Sequence, residues 1–255
     1  MKAAVIGLGY FSQFHLNAWQ RASGITLAGA TDLDPARRNW AADQGMPVFD
    51  TTEHLLATNP GIIDIVAPPP AHASLIRQAL APGRIIICQK PFCLNLAEAQ
   101  QITAEAEAAG TILAIHENFR FQPWHRTIHA FLASGRMGAI WQARFALRPG
   151  DGRGEDAYAA RQPAFRTMPR LLIHETAVHH VDLFRWLFGP ITGVYTQIER
   201  LNPVIQGEDS GLLILNHETG TRSMFDGNRL ADFVTDNPRD CGNRGRLHQC
   251  RVRSP

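Results

Sequence analysis

The sequence predicts an α/β protein in which a doubly wound parallel sheet is followed by an α+β region on a largely antiparallel, open sheet. Three observations predict it. Short apolar runs alternate with helical segments over residues 1–118, the rhythm of strand–helix–strand units. A glycine turn, Gly7-Leu8-Gly9-Tyr10-Phe11-Ser12, stands directly after the first apolar run. Beyond residue 119 that alternation gives way to one long helical pattern and to stretches of strand-like residues. The predicted domains are therefore 1–118 and 119–238, with a separate tail at 239–255.

Ala3-Ala4-Val5-Ile6 reads as a buried first strand, and Ile25 to Ala30 as the second, ending near Asp32. Pro35 suits a helix start for Ala36 to Gln44, closed by Gly45. Val48-Phe49 is expected as a short third strand, and Thr52 as the cap of a helix through Asn59. Ile62 to Val66 is the fourth strand, followed by the stiff Ala67-Pro68-Pro69-Pro70 loop and a helix over Ala71 to Ala81. Arg84 to Cys88 is the next strand, with Gln89-Lys90-Pro91 just beyond its carboxyl end. Asn95 with Glu98 forms a capping-box-like start to an alanine-rich helix that ends at Gly110. Thr111 to Ile115 is expected as the sixth strand.

In the second region Trp124 to Ser134 is a predicted helix and Ile140 to Leu147 a strand. Pro149 to Gly154 holds three glycines and is expected as a mobile or ligand-facing loop. Arg170 to Phe188 carries one continuous helical pattern, closed by Gly189-Pro190. Val194 to Glu199, Gly211 to Leu215 and Thr221 to Phe225 are candidate strands. So few strands precede the tail that the second sheet is expected to be incomplete.

Composition narrows the class. The 255 residues are 45% hydrophobic and 19% charged, with a formal charge of +2, which gives no reason to expect a nucleic-acid partner. The tail carries five arginines but no interleaved aromatics, so it is expected to be unstructured rather than a nucleic-acid arm. No apolar stretch reaches membrane-spanning length, and no secretory signal is read at the start. Four cysteines, Cys88, Cys93, Cys241 and Cys250, are too few and too unevenly spaced for a disulfide framework. A cytoplasmic location is the expectation.

The glycine turn points to a bound dinucleotide. Gly7 permits a tight turn, Gly9 lets backbone approach a pyrophosphate, and the following helix start would face phosphate oxygens. Ser12 replaces the third glycine with another small residue. Asp32, 25 residues after Gly7, stands where an acid accepts from an adenosine ribose and disfavours a 2′-phosphate. NAD is therefore the expected cofactor, with NADP as the alternative because Arg37 and Arg38 lie close by. Tyr10, Phe11, Pro68, His72, Gln89 and Lys90 complete the expected cofactor contacts.

Two groups suit hydride chemistry. Lys90, at the carboxyl end of a central strand, could steady the oxygen of a substrate alcohol. His179 could take the hydroxyl proton. On an α-helix Glu175, His179 and Asp182 would share one polar stripe, with Glu175 orienting the imidazole or binding substrate. His174, Glu175, His179 and His180 lie close in sequence, but they do not form His-Glu-x-x-His, and hydride transfer needs no metal; no metal is expected. His72, His116 and Arg120 are weaker candidates, near the cofactor ring or the cleft wall, with Arg120 assigned to substrate binding.

Together, Gly7 to Ser12, Pro68-Pro69-Pro70-Ala71-His72, Gln89-Lys90-Pro91 and Glu175 to Asp182 resemble the glucose-fructose oxidoreductase / inositol dehydrogenase family of NAD(P)-dependent enzymes. The resemblance covers residues 1 to about 238. It implies a Rossmann domain joined to an α/β domain whose open sheet often mediates oligomerisation. It also implies that Lys90 and His179 act with a sugar, inositol or related polyol between them, and that Glu175 and Asp182 match the family's two acids. Gln89 stands where the family usually has glutamate, Glu175 where it has aspartate and Ala177 where it has glycine. Family members usually continue well past this length, so truncation is expected, with the residues after Pro238 foreign to the family. Two rival functions stay open: a non-catalytic or inactive dinucleotide-binding protein, and a redox-neutral sugar lyase or glycosidase.

Overall fold

The computed structural model describes residues 1–160 and 162–231, and the arginine-rich tail expected at 239–255 lies outside them. The chain forms two compact units, Met1–His116 and a second beginning at Glu117.

In the first unit, strands β1 (Lys2–Ile6), β2 (Thr26–Thr31), β3 (Ile62–Ile65), β4 (Ile85–Gln89) and β5 (Ile112–His116) form one parallel sheet in the order β2-β1-β3-β4-β5. The helices are α1 (Ser12–Arg21), α2 (Pro35–Asp43), α3 (Thr52–Leu56), α4 (Pro69–Ala79) and α5 (Leu96–Ala108). All but the first residue of β1 are buried, as expected of a central strand covered on both faces. Ile63, Ile65, Ile76, Ile86 and Ile102 join strands and helices in one apolar cluster with no measurable exposure.

Several local expectations change. Val48-Phe49 is not a third strand but a single bridge from Val48 to Ala30, so the sheet has five strands and Thr111 to Ile115 contributes the fifth. Pro47 can accept from the Ala30 amide but has no N–H to extend the ladder. Phe49 instead packs on Gly29, where a Cβ would lie 2.5 Å from the ring. Thr51, not Thr52, caps α3 through the His54 amide, and that helix ends at Leu56. Helix α4 starts two residues early because prolines at its first positions lack only amides that a helix start leaves unpaired. Asn95 caps α5 by accepting from the Glu98 amide. Glu98 reaches back to the Leu94 amide, closing the box one residue earlier than the usual pattern.

In the second unit, α6 (Pro123–Ala133) and α7 (Val178–Phe188) pack with a four-stranded mixed sheet. Its strands are β6 (Gln142–Leu147), β7 (Ile191–Glu199), β8 (Ser210–His217) and β9 (Arg222–Asn228), in the order β6-β9-β8-β7. β7-β8 and β8-β9 are antiparallel, whereas β6 pairs parallel to β9.

The predicted single helix over Arg170 to Phe188 begins at Leu172 and changes its winding partway. Leu172–Ala177 is a π-helical turn that leads into α7. Its start is held from outside, because the Leu172 amide donates to the Glu208 carbonyl and the Ile173 amide to the Glu208 carboxylate. The 149–154 loop, expected to be mobile or ligand-facing, is anchored by side chains from elsewhere in the unit. Buried Arg229 donates to both Asp151 oxygens, to the Tyr158 hydroxyl at 2.7 Å and to Thr176. Asn202 donates to the Gly152 and Gly154 carbonyls. Burial alone would lower the Arg229 pKa, but Asp151 and Tyr158 more than offset it, so the guanidinium stays charged. Burial also pushes the Tyr158 phenol up to about 12.

Candidate active site

The glycine turn lies between β1 and α1. Gly7 has φ of 98°, and a Cβ there would meet the Ala67 nitrogen at 2.6 Å and the Val66 carbonyl carbon at 2.8 Å. Its role is thus a left-handed turn pressed against the connection that follows β3. Gly9 differs: a Cβ there would meet only the Arg37 guanidinium, at 3.2 Å. A hollow of about 290 Å³ opens beside it, lined by Leu8, Gly9, Tyr10, Gln13, Arg37 and Trp40. Ser12 is fully buried and donates to the Gly9 carbonyl at 2.7 Å, which closes the turn.

Asp32 is tied into the same turn. One carboxylate oxygen accepts from the Leu8 amide at 2.6 Å and the other from the Asp34 amide at 2.8 Å. A carboxylate has further lone pairs, so these bonds orient the group and leave it able to accept from a ribose. Arg38 donates to the Asp32 and Leu33 carbonyls, which commits it to local structure; Arg37 lies 3.9 Å from Asp32 and half exposed. Open Gly9 and the Asp32 acceptor fit the adenosine and phosphate parts of a dinucleotide.

His72, expected against the cofactor, is instead fully buried. Its ring nitrogens face the Phe92 carbonyl at 3.0 Å and the Ala67 carbonyl at 2.8 Å, so it braces the loops that carry Pro68 and Lys90. Pro68 caps α4 from an extended conformation.

Lys90 follows β4, and Gln89 beneath it is the centre of a polar chain. The Gln89 amide nitrogen faces His15 Nε2 at 2.7 Å and His116 Nδ1 at 3.0 Å, and its oxygen accepts from the Lys90 amide at 3.2 Å. His15 Nδ1 meets the buried Asp64 carboxylate at 2.8 Å, and Trp19 donates to the same oxygen. With Asp64 as acceptor, one assignment satisfies the chain: His15 donates from Nδ1 and accepts at Nε2, and the two amide hydrogens of Gln89 serve two imidazoles. This explains glutamine in place of glutamate. Gln89→Glu would set an acceptor against two ring acceptors, and a destabilisation of about 1–3 kcal/mol in a denaturant melt is expected.

The second unit carries the histidine. His179 Nδ1 lies 2.5 Å from Glu117 Oε1, and its ring stacks on Phe119 with centroids 4.1 Å apart and planes 2° from parallel. Both side chains are largely buried. Glu175, expected to orient this imidazole or to bind substrate, lies in the π-helical segment, and the carboxylate that faces His179 Nδ1 is Glu117. The Thr176 hydroxyl donates to Glu175. Asp182 is paired with Arg120, which donates from Nε at 2.6 Å and from a second nitrogen. That pairing raises the Arg120 pKa. Nothing in sequence spacing marks Glu117; its one signal is a position directly after the last parallel strand, where ligand-facing residues gather.

His180 does not join the site. It is buried among Phe145, Phe225 and Phe119, and neither ring nitrogen has a hydrogen-bond partner among the described residues. Burial lowers its pKa to about 3, His179 adds to the shift, and the Thr176 carbonyl slightly opposes it. Among the described residues no three His, Cys, Asp or Glu side chains cluster as a metal site.

A five-stranded parallel sheet with an open glycine turn after its first strand is the architecture of the dinucleotide-binding class. The chain belongs to the GFO/IDH/MocA oxidoreductase family: residues 1–117 match its model described as an NAD-binding Rossmann fold, and 125–248 match its C-terminal domain. It is 34% identical over 229 residues to a D-apiose dehydrogenase of Paraburkholderia graminis, covering 88% of this chain and 60% of that protein. An inositol 2-dehydrogenase of Ralstonia nicotianae is 27% identical, covering 74% and 55%. Among solved structures, an Agrobacterium radiobacter oxidoreductase in complex with NAD+, L-tartaric acid and magnesium superposes with a TM-score of 0.85. It is 30% identical, with 92% of this chain and 68% of that one covered. The chain spans 60% and 65% of the lengths of the two D-apiose dehydrogenases it matches.

Proposed function

We propose that the chain binds NAD and transfers hydride between the nicotinamide and a CH–OH carbon of a sugar, inositol or related polyol. The observation that carries this reading is that the open glycine turn after β1 and Lys90 after β4 lie at the carboxyl ends of one parallel sheet. Gly7, Gly9, Tyr10, Phe11, Ser12 and Asp32 form the cofactor cradle, and Asp32 favours NAD over NADP. Bound NAD supplies the hydride acceptor. Lys90 donates to the substrate oxygen and stabilises the negative charge that grows there. His179 takes the hydroxyl proton at the ring nitrogen opposite Glu117. Glu175, Asp182 and Arg120 bind the remaining hydroxyls.

The names of the relatives support a polyhydroxylated substrate. Cys88 and Cys93, both buried and neither in a disulfide, support a reducing cytoplasm. No helix among the described residues is long and apolar enough to cross a membrane. Val194, Tyr195 and Ile198, half to two-thirds exposed on the edge strand β7, support self-association through the second sheet.

Calorimetry on the purified chain is the first test, with NAD tighter than NADP as the expected result and Asp32→Ala narrowing that preference. A polyol screen should then show net NADH formation that Lys90→Ala and His179→Ala abolish while NAD binding persists. A folded chain that binds neither dinucleotide would sink the reading. Product without net NADH would point to the redox-neutral lyase or glycosidase.

A further inference from the structure

We propose that Glu117 is the positioning residue of His179, holding its imidazole with the hydrogen on Nδ1 so that Nε2 is the atom presented to substrate. This deepens the proposed reaction and rests on His179 as its proton carrier. Three observations carry it. Glu117 Oε1 stands within hydrogen-bond distance of His179 Nδ1, at 2.5 Å, and both side chains are about nine-tenths buried. The Phe119 ring lies flat against the imidazole and removes its freedom to rotate out of that bond. Glu117 is itself held, because Oε1 also accepts from the Phe119 amide at 3.3 Å.

A neutral imidazole has one N–H. A carboxylate facing Nδ1 can only accept, so the hydrogen must stand there and Nε2 keeps its lone pair. When His179 takes the alcohol proton at Nε2, the Glu117 charge stabilises the imidazolium that forms, without itself receiving the proton. Glu117 touches neither substrate nor cofactor in this scheme and acts through His179 alone.

The test joins a spectroscopic reading with kinetics on the full chain. Nitrogen-15 shifts of labelled histidines, with His179 identified by its loss in His179→Gln, should show the Nδ1–H form in the wild type. Glu117→Leu should move it to Nε2–H and lower kcat about 10²–10⁴-fold with little change in KM. Glu117→Gln can still accept through its carbonyl, so it should keep the Nδ1–H form and lose less kcat than the leucine variant. An Nε2–H signal in the wild type, or equal kcat losses with an unchanged tautomer, would overturn the proposal and leave the reaction standing. A wild-type chain that shows the Nδ1–H form but oxidises no polyol would instead end the proposed reaction, while the tautomer shift in Glu117→Leu still decides the Glu117–His179 link. NAD affinity, set in the other unit, should be unchanged in both variants and serves as the control for folding.

Discussion

Gly7→Ala is expected to destabilise the N-terminal unit by about 3–5 kcal/mol and to remove dinucleotide binding with it. Two costs add. The φ of 98° is strained for any residue with a Cβ, and that Cβ would fall 2.6 Å from the Ala67 nitrogen. The obstacle is backbone, between β3 and α4, so relief requires moving the central sheet rather than a side chain. Gly9→Ala is the contrasting substitution, since its Cβ meets only the far end of Arg37. It should leave the melting transition within about 1 kcal/mol of wild type while weakening NAD binding, because the added methyl narrows the hollow beside the turn. Calorimetric melting and NAD titration of the two variants separate these roles. Equal melting losses would show that both glycines serve the fold alone.

The second large effect is acid sensitivity set by His180. Its folded pKa, near 3, lies well below the ordinary histidine value of 6.5, so between those values the unfolded chain binds the extra proton. Stability from keeping this ring neutral is therefore complete above about pH 6.5 and is lost as pH falls toward 3. Between pH 6.5 and 4 the loss is roughly 3 kcal/mol, the free energy of about two and a half pKa units. His180→Leu places an uncharged apolar side chain among the same aromatic rings. Its melting curve should flatten over that acid range and be no less stable at pH 7. The comparison cancels titrating groups that do not act on His180, whereas His179 and His125, which both help to lower its pKa, change with it. An acid limb as steep in the leucine variant as in wild type would remove His180 from the account.

The first sheet was legible because its signals are local. A glycine turn after a buried run, Pro35 at a helix start and Asn95 with Glu98 each act within a few residues. The second unit was less legible because its decisive contacts are distant. Apolar periodicity across Arg170 to Phe188 is compatible with both 3.6 and wider turns, and only Glu208, far along the chain, shows where the π-turn begins. Glycines and charges at 149–154 look flexible until Arg229 and Asn202 arrive to bind them. Lys90 and His179 could be named as candidates from motifs, whereas the Glu117–His179 contact could not, because its partners lie 62 residues apart. The bonds of His72 were hidden for a related reason: its position matches a motif, while the carbonyls its two nitrogens face lie on separate loops.

The parallel pairing of β6 with β9 has a consequence for how the chain is made. Gln142 pairs with Arg222, so β6 leaves the ribosome 80 residues before the strand it pairs with among the described residues. The first sheet closes through short crossovers and can be complete by then. During that interval β6 presents an unpaired strand bearing Phe145 and Leu147, and closing so long a loop is slow as well as entropically costly. Nascent chains should therefore be most prone to aggregate, and most dependent on chaperones, between the synthesis of β6 and that of β9.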